Sequence, residues 1–143
     1  MTRLSHLVWI AACLNIFNAC SKPETRTLEG TWRMEACTYI GSGKSNGVES
    51  NEITNKLCLK IFGASHFALV EMFKTKPDSL LFAALGKYQL TQDKYFEKYD
   101  ASNVGYETES WREFKYFFER DSLIMLSTSN EVTLKEVWVR IEE

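Results

Sequence analysis

The chain has 143 residues, 45% of them hydrophobic and 13% aromatic, with 17 basic and 19 acidic side chains and a formal net charge of −2. That is enough for one domain and too little for two comfortable ones, and the apolar content supplies a packed core, which argues against disorder. No basic run and no face of interleaved basic and aromatic residues is present, so no nucleic-acid partner is expected.

Residues 1–19 carry one basic side chain, Arg3, and no acidic one. A weakly polar stretch runs from Leu7 to Phe17. It is too short for a membrane-spanning helix, which needs about 20 apolar residues, and it matches the apolar core of a secretory signal, about 7–15 residues. The segment closes with Phe17-Asn18-Ala19-Cys20, and the chain turns polar at Ser21-Lys22-Pro23-Glu24. A small residue directly before a cysteine at the end of such a core resembles the bacterial lipobox, in which the cysteine becomes the lipidated first residue of the mature protein.

On that resemblance residues 1–19 are a lipoprotein signal peptide, Cys20 is the lipidation site, residues 20–28 are a polar tether and residues 29–143 form the domain. Two or three acyl chains at Cys20 would anchor the protein stably to a membrane of the cell envelope, at the outer membrane or the periplasmic face. The alternative is an ordinary secretory signal cut near Ala19. Removing Arg3 leaves 16 basic and 19 acidic side chains, a net charge of −3. Cys13 leaves with the signal, so Cys37 and Cys58 remain, either bridged in an oxidising compartment or as two thiols. No CxxC or Cys/His spacing suggests a metal, and no cofactor is expected.

Beyond Leu28 the hydrophobic pattern has period two, the signature of half-buried strands. The candidate strands, in chain order, are 31–40, 57–62, 66–73, 81–91, 94–101, 111–119, 122–128 and 132–141. Gly41–Asn55, rich in Gly, Ser and Asn, reads as a long mobile loop near a barrel mouth. Lys74–Ser79 contains Pro77 and reads as a second loop, with a turn of helix at Asp78–Leu81. Polar pairs at Gln92-Asp93, Arg120-Asp121 and Ser129-Asn130 mark tight turns. This predicts an all-β domain, a small antiparallel up-and-down β-barrel of about eight strands, with a two-sheet sandwich as the alternative.

Gly30-Thr31-Trp32 opens the first strand and Trp138-Val139-Arg140 closes the last, with Gly86-Lys87-Tyr88 and Tyr95-Phe96-Glu97 flanking a tight turn between them. This order resembles the lipocalin-like domains of the calycin group, in particular the small lipoprotein versions of Bacteroidetes-type bacteria, over about residues 28–141. The resemblance implies that the first and last strands pair and that Arg140 packs across Trp32, a barrel-closing contact. It also implies a small apolar or amphipathic ligand.

The alternation proposes an interior. Lysines are almost never fully buried, so Lys94, Lys98, Lys115 and Lys135 go outside. Tyr95, Glu97, Tyr99, Phe114, Tyr116, Phe118, Glu136, Trp138 and Arg140 then point inward. Glu97 and Glu136 would share an aromatic interior with Arg140 and Arg112, since a buried charge must be paired or neutralised. That cluster reads either as a network fixing strand register or as the polar anchor of an apolar pocket lined by Tyr88, Tyr95, Glu97, Tyr116, Glu136 and Trp138.

Catalysis has no support in the motifs. There is no GxSxG, HExxH or Gly-rich phosphate loop, His66 is the one histidine beyond residue 19, and the chain is expected not to be an enzyme. A structural or protein-interaction lipoprotein, its barrel filled by its own side chains, is the other class; it would show an exposed apolar patch on its outside.

Overall fold

The computed structural model describes residues 27–41, 48–49, 55–105 and 109–141, all of them strand, turn or loop apart from a single residue of 3-10 conformation. The expected signal segment, Cys20 and most of the expected Gly41–Asn55 loop lie outside the described residues. The strands are β1 (Gly30–Gly41), β2 (Val48–Glu49), β3 (Lys56–Phe62), β4 (His66–Phe73), β5 (Lys76–Leu90), β6 (Lys94–Ser102), β7 (Arg112–Glu119), β8 (Ser122–Ser129) and β9 (Val132–Arg140).

Every pairing is antiparallel. From β3 to β9 each strand pairs with the next, and β1 pairs β3 on one side and β9 on the other, which closes an eight-stranded barrel. The β1–β9 ladder runs from Trp32↔Arg140 to Gly41↔Val132. It leaves no open edge between two sheets, so the fold is a barrel and not a sandwich. β2 is a two-residue addition to β1, with Thr38↔Glu49 and Tyr39↔Val48.

Two local expectations are corrected. Lys74–Ser79 is not a loop: the turn is confined to Lys74 and Thr75, and β5 starts at Lys76. Register shifts around Met72 let β4 and β5 absorb extra residues, so Pro77 falls beside a bulge, where a missing backbone donor is tolerated. No helical turn forms at Asp78–Leu81, which is strand. The last turn is centred on Asn130-Glu131, with φ of 48° and 64°, because two left-handed residues match the twist of the flanking strands. Ser129 stays in β8, opposite Val132.

The barrel has two unlike ends. The chain enters at Gly30 and leaves after Arg140 at the same end, which also carries the β3–β4, β5–β6 and β7–β8 turns. There Trp32 is buried, its Nε1 donates to the Leu28 carbonyl at 2.8 Å, and the Arg140 guanidinium stacks 4.6 Å from its ring centroid. Arg140 also donates to the carbonyls of Glu29 at 2.7 Å and Thr27 at 2.5 Å. Gly30 adopts φ +122°, and a Cβ on it would sit 2.7 Å from Arg140 Nη1, so glycine is what lets the guanidinium through. Phe62, Phe67, Tyr88, Tyr95, Phe114, Leu123 and Trp138 fill the barrel behind this plug.

Gly86 marks a second close approach. A Cβ there would lie 2.3 Å from the Lys98 carbonyl and 2.6 Å from the Phe67 ring. Gly86→Ala should therefore force β5 and β6 apart and cost about 3 kcal/mol in a urea unfolding experiment. Gly63→Ala, whose Cβ would meet only the His66 carbonyl at 3.7 Å, should cost less than about 1 kcal/mol.

Candidate functional site

Inward positions on β3 are set by Cys58 and Phe62, which belong to the core, so Lys60 between them also points in. It is only 2% exposed. A lysine can be buried only if its ammonium is compensated, and here it is. Lys60 Nζ lies 2.5 Å from Glu97 Oε2 on β6, across the barrel. The same ammonium lies 4.8 Å from the Phe67 centroid, 5.0 Å from Tyr95, 5.4 Å from Phe62, 5.8 Å from Trp138 and 6.0 Å from Phe114. Each ring face adds a cation–π attraction that desolvation strengthens.

Glu97 is likewise 2% exposed and collects further donors. Tyr95 donates to Oε2 at 2.8 Å and Tyr99 to Oε1 at 3.4 Å. The Arg112 guanidinium is 3.5 Å from Oε1 and donates to the Tyr99 hydroxyl at 2.9 Å. Glu136 joins them from β9, where the Trp138 Nε1 donates to its carboxyl at 3.0 Å. Two cations and two carboxylates thus form a layer across the middle of the barrel. Among the described residues, no buried side-chain nitrogen or oxygen lacks a hydrogen-bond partner.

The two carboxyls are driven in opposite directions. Burial alone would raise the Glu97 pKa, but Lys60, Arg112 and the Tyr95 hydroxyl outweigh it and hold the carboxyl below its ordinary value. Glu136 is also desolvated, and Lys60, the Trp138 hydrogen bond and Arg112 compensate it less, while the charge of Glu97 opposes its ionisation; its pKa is raised. Burial, with Glu97 beside it, pushes the Tyr95 hydroxyl far up. Burial, aided by Glu71 and Glu136, pushes the Cys58 thiol up to about 12, so it stays protonated at neutral pH. No disulfide joins Cys37 to Cys58; both are thiols.

Of the pocket residues expected from sequence, Tyr95, Glu97, Glu136 and Trp138 come together at this layer. Tyr88 is the register partner of Glu97 and its ring centroid lies 5.7 Å from that of Tyr95, but its hydroxyl turns to the entry end, where Tyr116 lies. The Tyr88 hydroxyl donates to Gly63 O at 2.6 Å, and its ring packs edge-on to Phe62 with centroids 5.4 Å apart. The Tyr116 hydroxyl reaches Thr91 O at 3.4 Å. Arg140 is not a partner of the carboxylates, because its guanidinium is held over Trp32 at the rim. Lys60 takes that place. The rule that sends lysines outward hides it, yet two inward carboxylates with few cations near them already signal a missing positive charge. His66 is exposed, with Ser65 Oγ at 2.9 Å from its Nδ1.

Around this layer several inward side chains are only partly covered. Met34, Leu69 and Phe82 pack against the core but stay half-buried, as do Arg112 and Glu136, and so do Tyr116 and Phe118. No protein-family model matches this sequence, and no curated protein matches it.

The layer yields two predictions. Lys60→Met strands a buried carboxylate and should destabilise the fold by about 3–5 kcal/mol in chemical denaturation. Lys60→Met with Glu97→Gln, which leaves no charge in the pair, should recover most of that loss. The second concerns pH. A carboxyl whose folded pKa is raised holds its proton longer in the folded state, so it costs stability as pH climbs from the ordinary 4.5 through the raised value. Glu136→Gln should therefore stabilise the protein at neutral pH and leave it unchanged below that window. Denaturation midpoints measured across pH read the difference, and Glu97, with its depressed pKa, contributes the opposite slope at lower pH.

Proposed function

We propose that this chain is an exported, lipid-anchored protein of the lipocalin-like kind, whose barrel takes a small apolar or amphipathic molecule through the end away from the Trp32 plug. The observation that carries this reading is the interior charged layer of Lys60, Glu97, Arg112 and Glu136 set beside the half-buried apolar side chains of Met34, Leu69 and Phe82. An apolar wall above a few convergent polar groups is how small-molecule sites are built. The molecule's apolar part would lie against those three side chains and its polar part would face Arg112 and Glu136.

The anchor fits the same orientation. Cys20 precedes Gly30 by ten residues, and Gly30 lies at the plugged end, so a tether there turns the other end away from the membrane. The competing reading is a barrel without a ligand, and the complete pairing of the buried polar atoms favours it. Its interior network would then act only to hold the strands in register.

Expression of the full chain in a bacterium supplied with alkyne-tagged palmitate should label the protein, and Cys20→Ser should abolish the label. Native mass spectrometry of gently purified protein should show an adduct lost on denaturation. Arg112→Leu should weaken adduct retention about tenfold or more, the effect of one lost charge-assisted hydrogen bond. A bare polypeptide mass in repeated preparations would replace the carrier with the filled barrel.

A further inference from the structure

We propose that Lys60 and Glu97 condense, in the folded chain, into an intramolecular isopeptide bond that ties β3 to β6 across the barrel. The reactants are already in contact. Lys60 Nζ lies 2.5 Å from Glu97 Oε2, and both side chains are 2% exposed. That contact brings the nitrogen up to the carboxyl carbon. Reacting atoms held about 3–3.5 Å apart are what gives an intramolecular reaction its high effective concentration.

The two oxygens of the Glu97 carboxyl have different surroundings, and the difference matches the two fates that acyl transfer gives them. Oε2 faces the amine and accepts a hydrogen bond from the Tyr95 hydroxyl at 2.8 Å, the place of the oxygen that departs. Oε1 faces the Arg112 guanidinium at 3.5 Å and the Tyr99 hydroxyl at 3.4 Å. It is the oxygen on which negative charge collects in the tetrahedral intermediate, where fixed donors aid acyl transfer most. Arg112 also donates to the Tyr99 hydroxyl at 2.9 Å, which holds the two donors together.

The step balances within the pair. Nζ begins with three protons, and the first crosses the contact to Oε2, leaving a neutral amine beside a carboxylic acid. The Nζ lone pair then attacks the carboxyl carbon. The second proton follows to Oε2, the bond from carbon to Oε2 breaks, and water departs. The third proton stays as the amide N–H. One positive and one negative charge have become one neutral amide, with no oxidant and no outside base.

The interior favours that product. In water the separate ions are the stable state because both are hydrated. Here both have lost their hydration, and burying two charges costs far more than burying one amide. The rings of Phe62, Phe67, Tyr95, Phe114 and Trp138 surround Nζ, with centroids between 4.8 and 6.0 Å away, and keep water from the bond. Glu136 gives up its proton less readily than an ordinary carboxyl and so competes weakly for the ammonium. Lys60 and Arg112 hold the Glu97 carboxyl below its ordinary pKa, so the ion pair is the state of the newly folded chain and the amide forms slowly from it. The bond joins residues 37 apart in sequence. It constrains the unfolded chain as a disulfide does, in a barrel whose Cys37 and Cys58 are both thiols.

The test is mass spectrometry of the full chain, purified from an expressing bacterium, denatured and digested with trypsin. Trypsin does not cut after an acylated lysine, so the expected product is Leu57–Lys74 joined to Tyr95–Lys98, lighter than the two peptides together by one water. The intact denatured chain should be lighter by one water too. Lys60→Arg keeps the cation but has no amine to acylate, and its mass should equal that of its own sequence. Arg112→Gln leaves both reactants in place and removes the charge beside Oε1. Made by cell-free synthesis and sampled over days, it should form the branched peptide about a hundredfold more slowly than the unchanged chain. Separate peptides of full mass, from protein kept folded for days, would overturn the proposal. So would a missing water that persists in Lys60→Arg. A branched peptide that Arg112→Gln forms as fast as the unchanged chain would uphold the bond and overturn the role given to Arg112.

Discussion

The buried contact between Lys60 and Glu97 constrains the whole interior. The two residues stand on β3 and β6, on opposite walls, and each is 2% exposed. Neither charge could stay in so apolar a space without the other, since desolvating an unpaired ion costs several kcal/mol. Their pairing draws in the rest: hydroxyls of Tyr95 and Tyr99 on the carboxylate, five aromatic rings round the ammonium, and Arg112 behind Tyr99. Against hydrophobic residues of equal volume such a pair adds little net stability. What it specifies is register, because a one-residue slip of β3 or β6 would turn a charge outward and an apolar side chain with it.

That layer also divides the barrel. On the entry side the interior is closed by Trp32 under the Arg140 guanidinium, with Gly30 making room for it. Within the layer the carboxyl of Glu136 has a raised pKa because its compensation is incomplete, and Met34, Leu69 and Phe82 beside it stay half-buried. The asymmetry follows from where the cations are. Lys60 faces Glu97 first, and Glu136 receives what remains of its field together with the Trp138 hydrogen bond. A proton or a polar ligand group is what this second carboxylate can still accept, which is why the proposed site is placed beside it.

The strand that carries Lys60 is also apolar on its outer face. β3 and β4 are apolar at most positions on both sides, whereas the outward positions of β6 and β7 are mostly charged, with Phe96 and Phe117 as exceptions. β1 and β9 close the barrel, and β3 carries the buried lysine inside it.

Where one face of a strand is charged, the chain's own alternation determined the architecture. Tyr95, Glu97 and Tyr99 could be placed inside because Lys94 and Lys98 mark the outside, whereas Arg140 over Trp32 was expected only from the resemblance of the strand-end motifs to a known kind of barrel. Three things were decided only by the tertiary structure. Lys60 was invisible because its burial depends on a carboxylate 37 residues away. The faces of β3 and β4 were illegible because period two carries no information when both faces are apolar. Tyr116 shares the inward side with Tyr95 and Trp138, but depth along the barrel axis separates it from the charged layer, and Tyr88, opposite Glu97, turns its hydroxyl away to the entry end. Alternation tells which side of the wall a residue occupies; its height in the barrel is set by the stagger with which the strands close.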